Sequence, residues 1–155
     1  VLVCTTTGGP RASPLPEPTV PLFAEAPSLE PEVALRRFIE NALAPATAAS
    51  RPELVERILA HRLATAQPFP AWLAQAAAGT TFDAWERVPQ IAAPTLVLHG
   101  SEDRVVDPRN ADLLVDLVPG ARLVRVPGTG HLLYWEEPDA FVASVGGFLG
   151  EHALS

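Results

Sequence analysis

The sequence predicts an α/β fold with a parallel sheet, and three observations predict it. Residues 1–4 form an apolar run typical of a buried parallel strand. From residue 91 onward, strand and helix patterns alternate twice, as they do where helical crossovers join parallel strands. About 80 residues with helical patterns separate these two regions, too many for a plain loop. We therefore divide the chain into a core strand and turn (1–10), a helical insertion (11–88) and the C-terminal part of the core (89–155).

The insertion begins with a proline-rich stretch and continues with helical patterns. Nine of the 17 prolines fall within residues 10–52, and we expect neither helix nor central strand over residues 14–21. Apolar spacing predicts helices over about 31–43 and 70–78, a helix opening with the capping box Ser50-Arg51-Pro52-Glu53, and a helical turn at 82–86. We expect these helices to form a lid over the carboxyl ends of the strands, where open α/β sheets bind ligands.

The C-terminal region predicts two strand–helix units. A strand over residues 95–99 is followed by Asp107, the predicted N-cap of a helix that stops near Pro119. A strand over residues 123–126 then precedes a helix that begins at Pro138. Because the strands of such units run parallel, the loops that follow them should meet at one edge of the sheet.

The composition limits the function classes. The chain has 155 residues, of which 48% are hydrophobic, enough for one ordinary core. A net charge of −7 argues against a nucleic-acid partner, and no apolar run approaches the roughly 20 residues that span a bilayer. The single cysteine, Cys4, cannot form an internal disulfide and is typical of a reducing, cytoplasmic setting. The sequence has no Met and opens inside a strand pattern, so we expect a longer polypeptide to precede Val1.

Asp103 and His131 are the candidate catalytic residues. Each follows a predicted strand in a glycine-containing loop, and the carboxylate comes before the histidine along the chain. A hydroxyl nucleophile needs a histidine to take its proton, and that histidine needs a carboxylate on its other nitrogen. Gly128 and Gly130 would allow the tight turn that leaves the ring uncovered. The pair therefore predicts two members of a catalytic triad.

Other acids and histidines have simpler explanations. Asp107 serves as a helix cap, and Glu102 should point away from His131. His99 ends a strand and should pack beneath the site, while His61 belongs to the polar side of a helix. No group of His, Cys or carboxylates has metal-ligand spacing, so the sequence predicts neither a metal nor another cofactor.

The third member of a triad is missing. A nucleophile elbow has the sequence Gly-x-Ser-x-Gly between a strand and a helix, and none of the serines lies in that frame. Ser101 follows a glycine but lies in the same loop as Asp103, and Ser144 lies within a predicted helix. We therefore expect the 155 residues alone to be inactive as a hydrolase, with an unpaired strand edge near residues 1–4.

These segments resemble the α/β-hydrolase superfamily. Residues 94–108 are similar to its acid-bearing region, and residues 1–10 to its sixth strand. Gly128-Thr129-Gly130-His131, with Trp135-Glu136-Glu137-Pro138 after it, resembles its histidine loop and last helix. The resemblance implies a partial α/β-hydrolase fold containing the last three parallel strands, with the N-terminal half, its elbow and its oxyanion loop absent. The group of enol-lactone hydrolases and small carboxylesterases is the most similar.

The resemblance implies three alternatives for the complete protein. The first is a Ser-His-Asp hydrolase acting on a small, fairly apolar ester or lactone, with the serine outside this chain. The second keeps Asp103 and His131 but uses an aspartate nucleophile, as dehalogenases and epoxide hydrolases do. The third is a non-catalytic ligand-binding homologue. All three predict a small-molecule ligand and neither a nucleic-acid nor a membrane partner.

Overall fold

The computed structural model describes residues 1–152, without the side chains of Phe69 and Leu73. Its strands are β1 (Leu2–Val3), β2 (Leu96–Gly100) and β3 (Arg122–Val126), paired in parallel in the order β1-β2-β3. All five residues of β2, the central strand, are buried. The predicted α/β architecture with a parallel sheet is therefore confirmed.

Side chains alternate across the strands, and different helices cover the two faces of the sheet. Val97 points to the face covered by α6 (Arg109–Leu117), where it packs with Ala111 and Leu114. Leu98 points to the opposite face, where α7 (Leu133–Glu136) and α8 (Pro138–Glu151) lie. Apolar side chains of β1 and β3 follow the same alternation. Because both faces of the sheet are covered at its centre, all five residues of β2 are buried, whereas β3 has exposed arginines at positions 122 and 125.

Most of the chain between β1 and β2 is helical. Its helices are α1 (Val20–Glu25), α2 (Pro31–Ala42), α3 (Pro45–Ser50), α4 (Pro52–Ala64) and α5 (Phe69–Thr81), with short 3-10 turns at Glu17–Thr19, Ala26–Ser28 and Val88–Gln90. The predicted helices at 31–43 and 70–78 are therefore present as α2 and α5. The turn predicted at 82–86 is shifted, because residues 85–87 form a turn and the helical residues begin at Val88.

Two local predictions are wrong. Residues 14–21 were expected to exclude helix, yet a 3-10 turn and the start of α1 lie there. Pro18 and Pro21 occupy the first turns of these helices, where a missing N–H and a fixed φ cost nothing. Ser50 does not cap α4, because it is the last residue of α3 and its Oγ donates to the carbonyl of Ala46 in that helix, and Arg51 is the N-cap.

An apolar cluster ties α2 and α4 to the loop after β3. Its members include Ile39, Leu43, Leu54, Val55, Ile58, Leu59 and Leu132, which are all at most 3% exposed. Leu132 directly follows His131 in the sequence, so this cluster fixes the helices next to the candidate base. In contrast, most residues of α5 whose side chains the structure describes are exposed. Within residues 1–152, no helix is long and apolar enough to cross a membrane.

Candidate functional site

The loops that follow β2 and β3 touch through their backbones. A Cβ added to Gly100 would lie 2.1 Å from the carbonyl oxygen of Gly130, so only glycine fits at position 100. The N–H of Glu102 donates to the carbonyl of Thr129 at 2.8 Å. Gly128 has a φ of +66°, which a residue with a side chain rarely adopts. These glycines explain how two loops far apart in sequence come into contact.

The contact between the loops joins Asp103 to His131. Nδ1 of His131 lies 2.9 Å from Oδ2 of Asp103, within hydrogen-bond distance. Asp103 is 4% exposed, whereas the side chain of His131 is 29% exposed. A buried carboxylate on Nδ1 and a partly exposed ring are the arrangement that a general base requires.

Asp103 is held by further donors. Its Oδ1 accepts hydrogen bonds from the backbone N–H groups of Val105 and Val106, at 2.8 and 2.9 Å. Nε2 of His99 lies 3.1 Å from Asp103 Oδ2 and 3.1 Å from the carbonyl oxygen of Val106. Because both neighbours are acceptors, this nitrogen must carry the hydrogen. His99 thus packs beneath the site, as the sequence predicts, and also orients the candidate acid.

These donors keep Asp103 ionised. Burial alone raises the pKa of a carboxyl group, but the hydrogen bonds from His131 and His99 act in the opposite direction. When the ring of His131 is protonated, its positive charge lowers the pKa of Asp103 further, as does the N–H of Val106, so this pKa lies well below its ordinary value. Asp103 is consequently a carboxylate at neutral pH and can stabilise an imidazolium ring at His131.

Cys4 lies at the edge of the same cluster. It is buried, and its φ of +44° makes it the one described non-glycine residue in the left-handed region. Burial raises the pKa of the Cys4 thiol to about 12, against the lowering effect of a backbone hydrogen bond from Gly100, and Asp103 raises it as well. The thiol therefore keeps its proton at neutral pH and is not an activated nucleophile.

Cys4, His99 and Asp103 each offer one potential metal-ligand atom, and these atoms lie within 4.8 Å of one another, close enough to hold a metal ion. Sequence spacing gave no sign of this group, because β1 and β2 bring together residues that are far apart in the chain. However, both oxygens of Asp103 already accept hydrogen bonds, and the thiol is protonated. Hydrogen bonding explains the arrangement, and we assign it no metal.

The competing acids and the two remaining histidines lie elsewhere. Glu102 is exposed, and Asp107 accepts hydrogen bonds from the backbone and the guanidinium of Arg109. The ring of His61 lies 5.8 Å from that of Trp135, and the ring of His152 lies 4.6 Å from that of Phe148. Asp103 is therefore the carboxylate that meets His131.

Glu136 was not singled out from the sequence. It is 3% exposed, and its two carboxylate oxygens accept hydrogen bonds from the N–H groups of Gly130 and Ala44. A possible signal was its position five residues after His131, directly before Glu137-Pro138 at the start of the last helix. Glutamate is common near the N-terminus of a helix, so the sequence gives no reason to expect a buried side chain at Glu136.

Four of the five serines in residues 1–152, namely Ser28, Ser50, Ser101 and Ser144, have hydroxyl groups that form hydrogen bonds with backbone atoms. Ser101 Oγ accepts from the N–H of Gly128, and Ser144 Oγ donates to the carbonyl of Ala140 within α8. Ser155 lies outside the described residues.

An open cleft of about 560 Å³ lies between the loop at Gly8 and the end of α5 at Thr81, and neither Asp103 nor His131 lines it.

Comparison with known proteins decides the family. A family model described as serine aminopeptidase, S33, matches residues 6–139, most of the chain. The chain belongs to this family of α/β hydrolases. The resemblance inferred from the two loops is thereby confirmed.

Solved structures with the same fold, and a curated relative, are also similar to this chain. An α/β-hydrolase enzyme from a deep-sea metagenome library superposes with a TM-score of 0.78 at 22% identity, covering 99% of this chain and 56% of that chain. A hydrolase from Pseudomonas aeruginosa superposes with a TM-score of 0.76 at 28% identity, covering 96% and 54%. N-formylmaleamate deformylase of Pseudomonas putida is 29% identical over 72 residues, 46% of this chain and 26% of that protein.

The chain is shorter than the proteins it resembles. It spans about half the length of the similar solved structures and about a quarter of the deformylase. Polyketide synthase ThaQ of Burkholderia thailandensis is 43% identical over 70 residues, 45% of this chain and 3% of that protein. The similarities together support a hydrolase.

Proposed function

We propose that this chain supplies the acid and the base of a hydrolase that cleaves a small, fairly apolar carboxylic ester or lactone. The hydrogen bond of 2.9 Å between Asp103 and His131 carries this proposal. The substrate class is supported by a solved structure described as an enzyme that degrades N-acyl homoserine lactones. That structure is 30% identical to this chain, with a TM-score of 0.63, and covers 80% of this chain and 51% of that one.

In the proposed mechanism, Asp103 and His131 act on a serine hydroxyl. Asp103 accepts the Nδ1 hydrogen of His131, which leaves Nε2 unprotonated as the base. Nε2 takes the serine proton as Oγ attacks the carbonyl, and then returns it to the alcohol that leaves the acyl group. Water attacks the acyl-serine with the same assistance, releasing the carboxylic acid and restoring the serine hydroxyl. Asp103 stabilises the imidazolium in both steps.

The serine has to come from outside these 155 residues. The sequence contains no nucleophile elbow, and the similar solved structures are about twice as long as this chain. We therefore expect the isolated chain to show no turnover. Helices α2 and α4, which contact the loop of His131, are our candidates for the inner part of a lid over the substrate. We place the enzyme in the cytoplasm, in keeping with its single buried thiol.

The experiment is a substitution of His131 in the polypeptide that contains both this chain and the serine. His131→Ala should lower kcat by at least about 10³-fold, the scale of a lost triad member. His61→Ala is the matched control, because His61 is an exposed histidine on α4. Near-normal ester and lactone turnover by the His131→Ala enzyme would contradict the proposal.

A substrate panel separates the remaining alternatives. Esters and lactones are expected to turn over, and haloalkanes and epoxides are not. Turnover confined to haloalkanes or epoxides would indicate an aspartate nucleophile. Binding without any turnover, by a polypeptide with an intact elbow, would indicate a ligand-binding homologue. The intact contact between Asp103 and His131 favours catalysis over that last outcome.

A further inference from the structure

We infer that Glu136 is a positioning residue of the proposed relay, and this inference rests on the proposed function. Its carboxylate fixes the loop that carries His131 to the junction between α2 and α3. Glu136 thereby sets the position of the imidazole relative to Asp103 and, at the same time, the position of the helices beside it.

The hydrogen bonds of Glu136 join two distant parts of the chain. Oε1 accepts from the N–H of Gly130 at 2.7 Å, and Oε2 accepts from the N–H of Ala44 at 3.0 Å. Gly130 directly precedes His131, whereas Ala44 lies between α2 and α3, 92 residues before Glu136. The residue is 3% exposed, so little water competes for these bonds. One carboxylate thus bridges the base's loop and the helical segment.

The backbone around this bridge is closely packed. The carbonyl of Ala42 accepts hydrogen bonds from the N–H groups of His131, at 2.7 Å, and Leu132, at 3.2 Å. A Cβ on Gly130 would lie 2.5 Å from that same carbonyl oxygen, so the two segments are in direct contact. The guanidinium of Arg51 donates to the backbone carbonyl of Glu136. The bridge therefore sits at the centre of a set of contacts that hold the main chain on both sides of His131.

The position of the bridge gives Glu136 its role. Both carboxylate oxygens accept backbone N–H groups, so the side chain is occupied in holding the loop and does not face a substrate. A shift of the Gly130–His131 backbone by about 0.5 Å is enough to degrade a catalytic hydrogen bond. Glu136 therefore acts through His131. The neighbouring Glu137 is exposed and provides a matched control with the same charge.

The test compares Glu136→Gln with Glu137→Gln by NMR, in the isotope-labelled polypeptide that contains both this chain and the serine. Glutamine keeps the shape but presents an NH₂ group to one of the two backbone donors, leaving that donor without an acceptor. One readout is amide hydrogen exchange at Gly130 and Ala44. The second is the downfield Nδ1 proton of His131, assigned with His131→Ala, and the pH titration of that ring. The second readout would not move if Glu136 served the fold alone.

We expect Glu136→Gln to speed exchange of the Gly130 or Ala44 amide by at least about tenfold and to weaken the His131 Nδ1 signal, with Glu137→Gln unchanged. Unchanged exchange, or faster exchange with an unaltered His131 signal and titration, would overturn the inference. If Glu136→Gln does not fold, the native chain decides. Equal opening rates at Gly130, Ala44 and the His131 Nδ1 proton support a shared bridge, and independent rates overturn it.

Failure of the proposed function has a different signature. It appears in the substrate panel and in the turnover of the His131→Ala enzyme, because the Asp103–His131 hydrogen bond and its downfield proton would persist with an aspartate nucleophile. Failure of the inference alone leaves that proton in place and insensitive to Glu136→Gln.

Discussion

The carboxyl edge of the sheet and the pair of helices α2 and α4 are held by different interactions. At the edge, polar side chains and backbone atoms dominate: Asp103 and Glu136 are both buried, and each accepts hydrogen bonds from backbone N–H groups. Between α2 and α4, the buried contacts are apolar side chains such as Ile58, which is 0% exposed, and the ion pair of Arg36 with Glu56 lies at the surface. The geometry of the edge depends on single hydrogen bonds and close contacts at a few positions. The packing of the helices depends on the total apolar surface that they bury.

This difference predicts how each region responds to substitution. A helix core that relies on burial should lose stability in proportion to the apolar volume removed. An edge built from close backbone contacts should instead be sensitive to added volume and to the charge of its carboxylates.

The largest effect is expected in the helices. Ile58→Ala should lower the free energy of unfolding by about 2–5 kcal/mol, because it leaves a cavity in the fully buried cluster. Leu63→Ala removes apolar volume from the same helix at a side chain that is 46% exposed, and should cost about 0.5 kcal/mol or less. Urea unfolding of the two chains measures both values. Equal losses would show that α4 is not held by its buried face.

Added volume at the edge is expected to have the next largest effect. A Cβ at position 100 would lie 2.1 Å from the carbonyl oxygen of Gly130, so Gly100→Ala forces the two loops apart. We expect a loss of about 1–3 kcal/mol in the free energy of unfolding and a weaker Asp103–His131 hydrogen bond. Gly146→Ala, in α8 with nothing within 4 Å of the added Cβ, should instead stabilise the chain by about 0.5–1 kcal/mol. A Gly100→Ala chain as stable as the native one would refute the close contact.

The same difference explains which features the sequence predicts. The edge is predictable because its determinants are local: a strand, a glycine and one ionisable residue recur in each loop, and Asp103 and His131 follow from that pattern. The parallel pairing of β2 and β3 then brings both loops to one edge of the sheet. The loops therefore carry most of what the sequence discloses about the site.

Glu136 and the start of α1 were missed for a different physical reason. The role of Glu136 depends on Ala44, which is 92 residues away, and no local pattern reports such a contact. The prediction for the proline-rich stretch was wrong because the effect of a proline depends on its position in a helix. Pro21 is tolerated in the first turn of α1, whereas a proline in a helix interior would break the helix. The sequence does not show where that first turn lies.

The smallest effect concerns pH and acts on the edge alone. Because the pKa of Asp103 in the folded chain lies below its ordinary value of 3.8, the unfolded chain takes up this proton first as the pH falls. The stabilisation from Asp103 is thus complete above about pH 4 and is lost below it, by up to about 1.4 kcal/mol per pH unit. The free energy of unfolding of Asp103→Asn lacks this term. The difference in the free energy of unfolding between the native chain and Asp103→Asn should therefore narrow between pH 4 and pH 2.5, as measured by urea unfolding.

Glu102→Gln makes the same change of charge at an exposed neighbouring residue and serves as the control. Parallel curves for the native and Asp103→Asn chains would mean that the donors around Asp103 do not favour its ionised form, and the contrast between a charged edge and an apolar helix core would then fail at its central residue.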